Sequence, residues 1–316
     1  MIYLRYARLL LVVVASSACA VTRSSPSGEA ISAVTRDGMR IQKLVDKAQK
    51  RGDLPAIAVL VRSRGSDVYL RAQGKRSMQN EPRVEAGDVW HMGSDTKAMT
   101  AFLVALAVQE NRLSYDARLA DLFDEQIKPH SLNTDLTLLD LLSHGSGLKD
   151  VQEIRGGLLW KDLSKSSAGL AEQRLEMARA ALEEPPHIDP LEAGRPMRTF
   201  KYANINYVIL GATLEKVYGM AWEKLLRERL FQPLQMSSCG FGVAGRPDET
   251  EPSQPWPHVY EKKQLIGVPP KYKLDNPPML GPAGTAHCNL EDWRKFIAEL
   301  ILAWRGDGQL LTQLRQ

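Results

Sequence analysis

Val89-Trp90-His91-Met92-Gly93-Ser94-Asp95-Thr96-Lys97-Ala98-Met99-Thr100 is the stretch that decides the fold: a serine and a lysine three apart lead into a segment apolar almost all round. Thr96 to Glu110 carries Ala98, Ala101, Phe102, Leu103, Val104, Ala105, Leu106, Ala107 and Val108. A helix without a polar face is a buried one. The polar, turn-rich sequence after it makes it a core helix rather than a membrane span. Ser94 and Lys97, at i and i+3, share one helical face. Ser94 falls in the first turn, where backbone N–H groups are unpaired and the dipole is positive, and both favour an anion. A serine hydroxyl is a poor nucleophile until a base removes its proton. A buried lysine, whose charged form is penalised by desolvation, can serve as that base.

Ser-x-x-Lys alone is weak, because it arises about once by chance in a chain of this length. It occurs twice here, the second copy being Ser146-Gly147-Leu148-Lys149. That copy lies in a Gly-rich loop after Ser143-His144 and reads as a loop serine beside a surface lysine. Tyr202-Ala203-Asn204 is the only Tyr-x-Asn in the chain and sits on a loop just before a helix. A phenol near a cation can sit partly as phenolate and take a serine's proton. Asn204 offers a donor and an acceptor to an amide substrate. Tyr and Asn also commonly pack and cap, so this pair alone is weak as well.

Working outward, Asp37 reads as the cap of a helix with Ile41, Leu44, Val45 and Ala48 on one face and Gly52 at its end. Ala56 to Ser63 and Val68 to Gln73, joined by Arg64-Gly65-Ser66-Asp67, read as a β-hairpin. Helices are expected at Thr137 to Ser143, Ala168 to Leu182, and Asn206 to Val217 with Gly219 closing it. Another carries the stripe Trp222, Leu225, Leu226 and Leu230. Arg246 to Gly284 is Pro-rich and irregular. Asn289 then caps a helix with Trp293, Phe296, Ile297, Leu300, Ile301 and Trp304 on one face and Gly306 past its end. The only strong strands expected lie before residue 75.

The N-terminus reads as a targeting segment. Arg5 and Arg8 precede an apolar run of ten residues, Leu9 to Ala18, and Ser16-Ser17-Ala18-Cys19-Ala20 supplies small residues for cleavage. Spanning a bilayer takes about 20 apolar residues. Two alternatives stay open: lipidation of Cys19, the only membrane attachment expected, or plain cleavage near Ala20. The domains expected are a signal peptide at 1–20, a Ser/Pro/Gly-rich linker at 21–36 and one domain over 37–316. The location expected is outside the cytoplasm, periplasmic or anchored to the envelope.

Composition is ordinary for a globular chain: 316 residues, 44% hydrophobic, 25% charged, net charge +4. No basic stripe argues for nucleic acid. The six histidines are scattered and no His-Glu-x-x-His occurs, so nothing supports a metal site and no cofactor is expected. Cys239 and Cys288 either pair in an oxidising compartment or stay as buried thiols; spacing alone does not choose.

The order and wording of these segments resemble the serine β-lactamase-related family: class C β-lactamases, D-alanyl-D-alanine peptidases and related esterases. Val89 to Thr100 is similar to that family's active-site helix start, and Leu141-Leu142-Ser143-His144-Gly145-Ser146-Gly147-Leu148 to its "LLSHTSGL" segment. Phe200 to Asn204 followed by Tyr207 to Gly211 resembles its Tyr-x-Asn segment, and Phe231-Gln232-Pro233-Leu234-Gln235-Met236 its "PLGM". Gly281-Pro282-Ala283-Gly284-Thr285, with Asp292, Trp293 and Phe296, resembles the family's next segment along the chain. The resemblance implies an α/β (α+β) fold, a β-lactamase/transpeptidase-like three-layer sandwich with a helical lobe. It implies that Ser94 attacks a carbonyl, that Lys97 and Tyr202 manage its proton, and that Asn204 holds the acyl amide. The substrates implied are β-lactams, D-amino-acid peptides or small esters, turned over through an acyl-enzyme. One departure stands out: no Lys or His precedes a Thr-Gly or Ser-Gly pair, so the family's third motif is absent. The absence leads to the expectation that the C-terminal strands are missing. The rival reading is a catalytically impaired remnant or a non-catalytic ligand-binding protein of the same fold.

Overall fold

Helix ends fall where the sequence can satisfy or release the backbone. The computed structural model describes residues 36–52, 54–63, 66–123, 126–187 and 200–312. The expected signal peptide with Cys19, and all but the last residue of the expected linker, lie outside the described residues. The first helix, α1, runs Arg36–Gly52, so Asp37 lies inside it rather than at its cap. The hairpin comes next as β1 (Ala56–Ser63) and β2 (Ser66–Gly74), antiparallel with Ala56 opposite Gly74 and a register shift between Val61 and Arg62. After β3 (Trp90–His91) come α2 (Thr96–Gln109), α3 (Leu119–Leu122), α4 (Leu138–Leu142), α5 (Leu159–Lys165) and α6 (Leu170–Glu183). Thr137 and Asp140 close a capping box at α4, each side chain bonding the other residue's backbone. Next are α7 (Asn204–Tyr218) and α8 (Trp222–Leu226), the latter running on into one π-helical turn over Arg227–Phe231. The rest is β4 (Gly240–Phe241), β5 (His258–Glu261), β6 (Gln264–Gly267), α9 (Gly281–Gly284), β7 (Ala286–Cys288) and α10 (Leu290–Arg305). Asn289 caps α10 by accepting from Asp292 N at 2.8 Å, and Gly306 ends it at φ +85°.

Strands after residue 75 correct the expectation drawn from pattern. β3, β7 and β4 form one antiparallel sheet, with Trp90 opposite Cys288, and Gly240 and His91 both opposite His287. β5 and β6 form a separate hairpin. Strands of two to four residues are too short to display a period of two, so nothing in their local sequence announces them. Cys239 and Cys288 are joined in a disulfide with a Cα–Cα distance of 4.2 Å, which closes the alternative left open. It ties β7 to the residue preceding β4.

The β1–β2 hairpin packs against α1, and α10 also meets β1. The helical part is centred on α2 and α7, whose Met99, Phe102, Leu103, Val104, Val208, Ile209 and Leu210 are all buried. Gly211 lets α9 come close: a Cβ added there would lie 2.4 Å from Pro282 Cγ. The approach to α9 is held by Arg174, buried on α6. Its guanidinium bonds Glu215 at 2.5 Å, pairs with Glu223, and donates to the carbonyls of Met279 at 3.0 Å and Pro278 at 3.1 Å. Three distant stretches, the start of α2, the start of α7 and α9, thus meet.

Candidate active site

The turn before α2 is pinned from several sides. Gly93 adopts φ +52°, and its N–H donates to His91 Nδ1 at 3.0 Å. His91 Nε2 in turn lies 2.8 Å from Asp275. Thr96 Oγ1 donates to Gly93 O at 2.6 Å and accepts from Ala286 N at 3.0 Å. Met92 N donates to Ala286 O at 2.8 Å, and Thr100 Oγ1 to Pro282 O at 2.8 Å. Ser94 is exposed in the middle of the short 3-10 turn Gly93–Asp95, which runs directly into α2.

All four residues singled out from sequence converge. Ser94 Oγ is 2.6 Å from Tyr202 Oη and accepts from Lys97 Nζ at 3.2 Å. Lys97 Nζ also donates to Asn204 Oδ1 at 2.9 Å and to Ala283 O at 2.6 Å, and lies 4.9 Å from the Tyr202 ring centroid. Lys97 is 6% exposed. Its burial pushes the amine down to about 8, with the charge of Asp150 opposing the shift. Tyr202 behaves differently from the expected partial phenolate. Burial raises its phenol, and the hydrogen bond with Ser94 only partly offsets that. Of the two groups, burial thus makes Lys97 and not Tyr202 the easier to deprotonate.

Two further participants complete the arrangement. Asp150 accepts from Asn204 Nδ2 at 3.3 Å and from Ile205 N at 3.0 Å, which orients the carboxamide with its oxygen toward Lys97. Ala283 contributes a backbone carbonyl, which no motif can announce. The position of Asp150, directly after the second Ser-x-x-Lys, is the one hint available. Ser146 of that copy lies in a loop, as expected, but the loop is covered. Ser146 is 1% exposed, donates to Asn206 Oδ1 at 2.6 Å and accepts from Leu148 N at 3.2 Å. The loop is tucked beneath the start of α7. Lys149 pairs with Glu184 at 2.9 Å, away from any nucleophile. Among the described residues, no group of His, Cys, Asp and Glu is placed to hold a metal ion.

A deep helix opening on a serine, a lysine beneath it and a tyrosine across from it define a family as well as a site. The Beta-lactamase family model matches residues 41–316, and the chain belongs to that family. It is similar to an unguisins hydrolase of Aspergillus campestris, 24% identical over 266 residues, which covers 82% of this chain and 46% of that protein. Among solved structures it is similar to the octameric penicillin-binding protein homologue from Pyrococcus abyssi. The TM-score there is 0.65 at 20% identity, over 87% of this chain and 58% of that one. It is also similar to the D-amino acid amidase from Ochrobactrum anthropi SV3, solved with L-phenylalanine amide. That match has a TM-score of 0.63 at 21% identity, covering 86% and 70% of the two chains. These likenesses show the β-lactamase/transpeptidase-like fold. The chain spans about half the length of the curated relatives it matches, at 46% and 44%.

Proposed function

We propose that this chain is a serine acyl hydrolase with Ser94 as nucleophile. The observation that carries the reading is one oxygen held by two proton carriers: Ser94 Oγ lies 2.6 Å from Tyr202 Oη and 3.2 Å from Lys97 Nζ. With Lys97 near 8, a useful fraction of the amine is neutral at neutral pH. As Ser94 Oγ bonds to the carbonyl carbon, its proton passes to Lys97, directly or by way of the Tyr202 hydroxyl. The tetrahedral intermediate then collapses, the bond to the leaving nitrogen or oxygen breaks, and that atom takes the proton. Water attacks the acyl-enzyme in the second half and frees Ser94. Asn204, held by Asp150, keeps one amide hydrogen to offer to the acyl part of the substrate. The positive end of α2 favours the developing oxyanion.

The substrate class is a small molecule or peptide bearing an amide, lactam or ester carbonyl: β-lactams, D-amino-acid peptides or small esters. The similarity to an unguisins hydrolase and to a D-amino acid amidase supports this. Export to the envelope, with or without lipidation of Cys19, belongs to the same reading. It is supported by the charge and apolar pattern of residues 1–20 and by the Cys239–Cys288 disulfide, since such bonds persist in oxidising compartments. The test is incubation with a fluorophosphonate and with a fluorescent penicillin, followed by peptide mass mapping. Adduct mass on the Ser94 peptide is expected. An unmodified Ser94 peptide after prolonged exposure to both probes would mean that the fold is kept for binding rather than for chemistry.

A further inference from the structure

His144 touches three successive residues of the Tyr-x-Asn segment. Its carbonyl accepts from Lys201 N at 2.8 Å, and its Nδ1 accepts from Ala203 N at 3.3 Å. Between those two anchors its ring lies against the Tyr202 ring, with centroids 4.5 Å apart. Phe200 meets the same imidazole edge-on at 5.8 Å, and Tyr207 of α7 approaches it at 5.3 Å. The imidazole is oriented from beneath. Ser146 Oγ donates to Asn206 Oδ1, which turns Asn206 Nδ2 toward His144 Nδ1 at 3.0 Å. Nδ1 thus faces two N–H donors and is an acceptor, so the neutral ring carries its proton on Nε2. His144 has φ +56°, a conformation unusual outside glycine, and that turn brings its carbonyl and its ring to bear on one segment.

We propose that His144 is the positioning residue of this site: it holds the Tyr202 hydroxyl against Ser94 by gripping the residues on both sides and packing on the ring between them. This rests on the reading of Tyr202 as Ser94's proton partner. The need for such a grip is physical. Tyr202 is 45% exposed and lies on a loop, whereas a proton relay requires its hydroxyl at hydrogen-bond distance. A misplacement of about 1 Å can cost roughly 100-fold in rate. Protonating Nδ1 would turn the acceptor into a donor facing two donors and release the grip. The charged and titratable groups around the ring are Lys97, Asp150, Tyr202 and Tyr207. Burial and then the Lys97 charge hold the imidazole below its ordinary range, with Asp150 opposing, so the grip persists into mildly acid solution and is lost only below it.

The experiment compares wild type, His144→Phe, His144→Gln and Tyr202→Phe. It reads the second-order rate of fluorophosphonate labelling from about pH 5 to 9, the melting temperature, and the Tyr202 ring resonance in tyrosine-labelled protein. Tyr202→Phe is expected to slow labelling about 100-fold or more, and it assigns the resonance. His144→Phe keeps a ring but offers Ala203 and Asn206 no acceptor, and is expected to slow labelling roughly 10- to 100-fold. His144→Gln restores a non-titrating acceptor, recovers part of the rate and removes the extra acid-side loss seen in wild type. The wild-type Tyr202 resonance should move as the imidazole titrates and should lose that response in His144→Gln. Wild-type labelling and an unchanged acid limb in both His144 variants overturn the proposal, whatever happens to the melting temperature. Should His144→Phe fail to fold, the acid limb of His144→Gln decides alone. Wild-type labelling in Tyr202→Phe overturns the reading of Tyr202 instead. If no protein labels at all, the resonance still decides: a Tyr202 signal indifferent to His144 sinks the positioning role.

Discussion

Two copies of one four-residue pattern sit in this molecule with opposite fates. Ser94-Asp95-Thr96-Lys97 opens a long buried helix, so its serine is exposed while its lysine points into the core and is stripped of water. Ser146-Gly147-Leu148-Lys149 folds the other way about. Its serine is buried and donates to Asn206, and its lysine reaches out to Glu184. The residue types are the same; what differs is which of the pair is desolvated. A desolvated lysine becomes a base near neutral pH, whereas a desolvated serine becomes a structural group that pairs a buried acceptor and a buried donor.

The sharpest way to break the contrast is to delete each serine. Ser94→Ala should abolish covalent labelling, because losing a nucleophile among intact partners costs on the order of 10⁶-fold. Ser146→Ala should still be labelled at Ser94. Equal labelling of the two variants would dissolve the distinction. Next in size is the pair of lysines. Lys97→Met should lower the labelling rate about 10²- to 10⁴-fold, whereas Lys149→Met should leave it within a few-fold of wild type. The wild-type rate needs the neutral amine. It should therefore rise about tenfold per pH unit below the Lys97 value of about 8 and level off above it. A rate flat across that range would remove Lys97 as the base.

Smaller effects separate the two copies by stability. Cys288 lies opposite Trp90, in the strand that pins the turn carrying Ser94. The Cys239→Ser/Cys288→Ser double variant should lose about 2–4 kcal/mol in denaturant unfolding. Ser146→Ala leaves Asn206 Oδ1 buried without its donor. It should cost about 1–3 kcal/mol, read as a lower melting temperature, with Ser94 still the labelled residue and any slowing no greater than that of the His144 variants. Lys149→Met removes a partly exposed ion pair and should cost less than about 1 kcal/mol.

How much of this is legible in the sequence depends on the range over which each feature is encoded. The apolar circumference of α2, the stripe and Asn289 cap of α10, and the glycine stops at Gly219 and Gly306 are local, and the structure has them where the sequence puts them. The four residues of the site are legible as motifs, but their meeting is not. The start of α2 and the Tyr-x-Asn segment lie 108 residues apart by the Ser94–Tyr202 bond. β3, β4 and β7 escape because they exist only through pairing with one another. Asp150 escapes because a lone carboxylate in a loop has no pattern, and His144, although inside a recognisable segment, shows its contacts with the Tyr-x-Asn segment only once the chain is folded. The protonation of Tyr202 is misjudged from neighbours alone: a nearby cation suggests a phenolate, and burial outweighs it. The loop around Ser146 is legible, but its burial is not, since glycine neighbours signal a loop and say nothing of whether it is covered.

Lys97 donates its third hydrogen bond to the carbonyl of Ala283, which lies 186 residues further along the chain. Reactivity is thereby tied to completion. A nascent or partly threaded chain that stops short of α9 already holds its nucleophilic serine and its lysine three residues apart, at the turn that leads into α2. It still lacks the carbonyl that fixes the amine and the segment that helps shut water away from it. Such a chain is latent, with every catalytic letter present and the chemistry withheld, and a polypeptide ended before Gly281 is expected to stay silent toward the probe that marks the longer one.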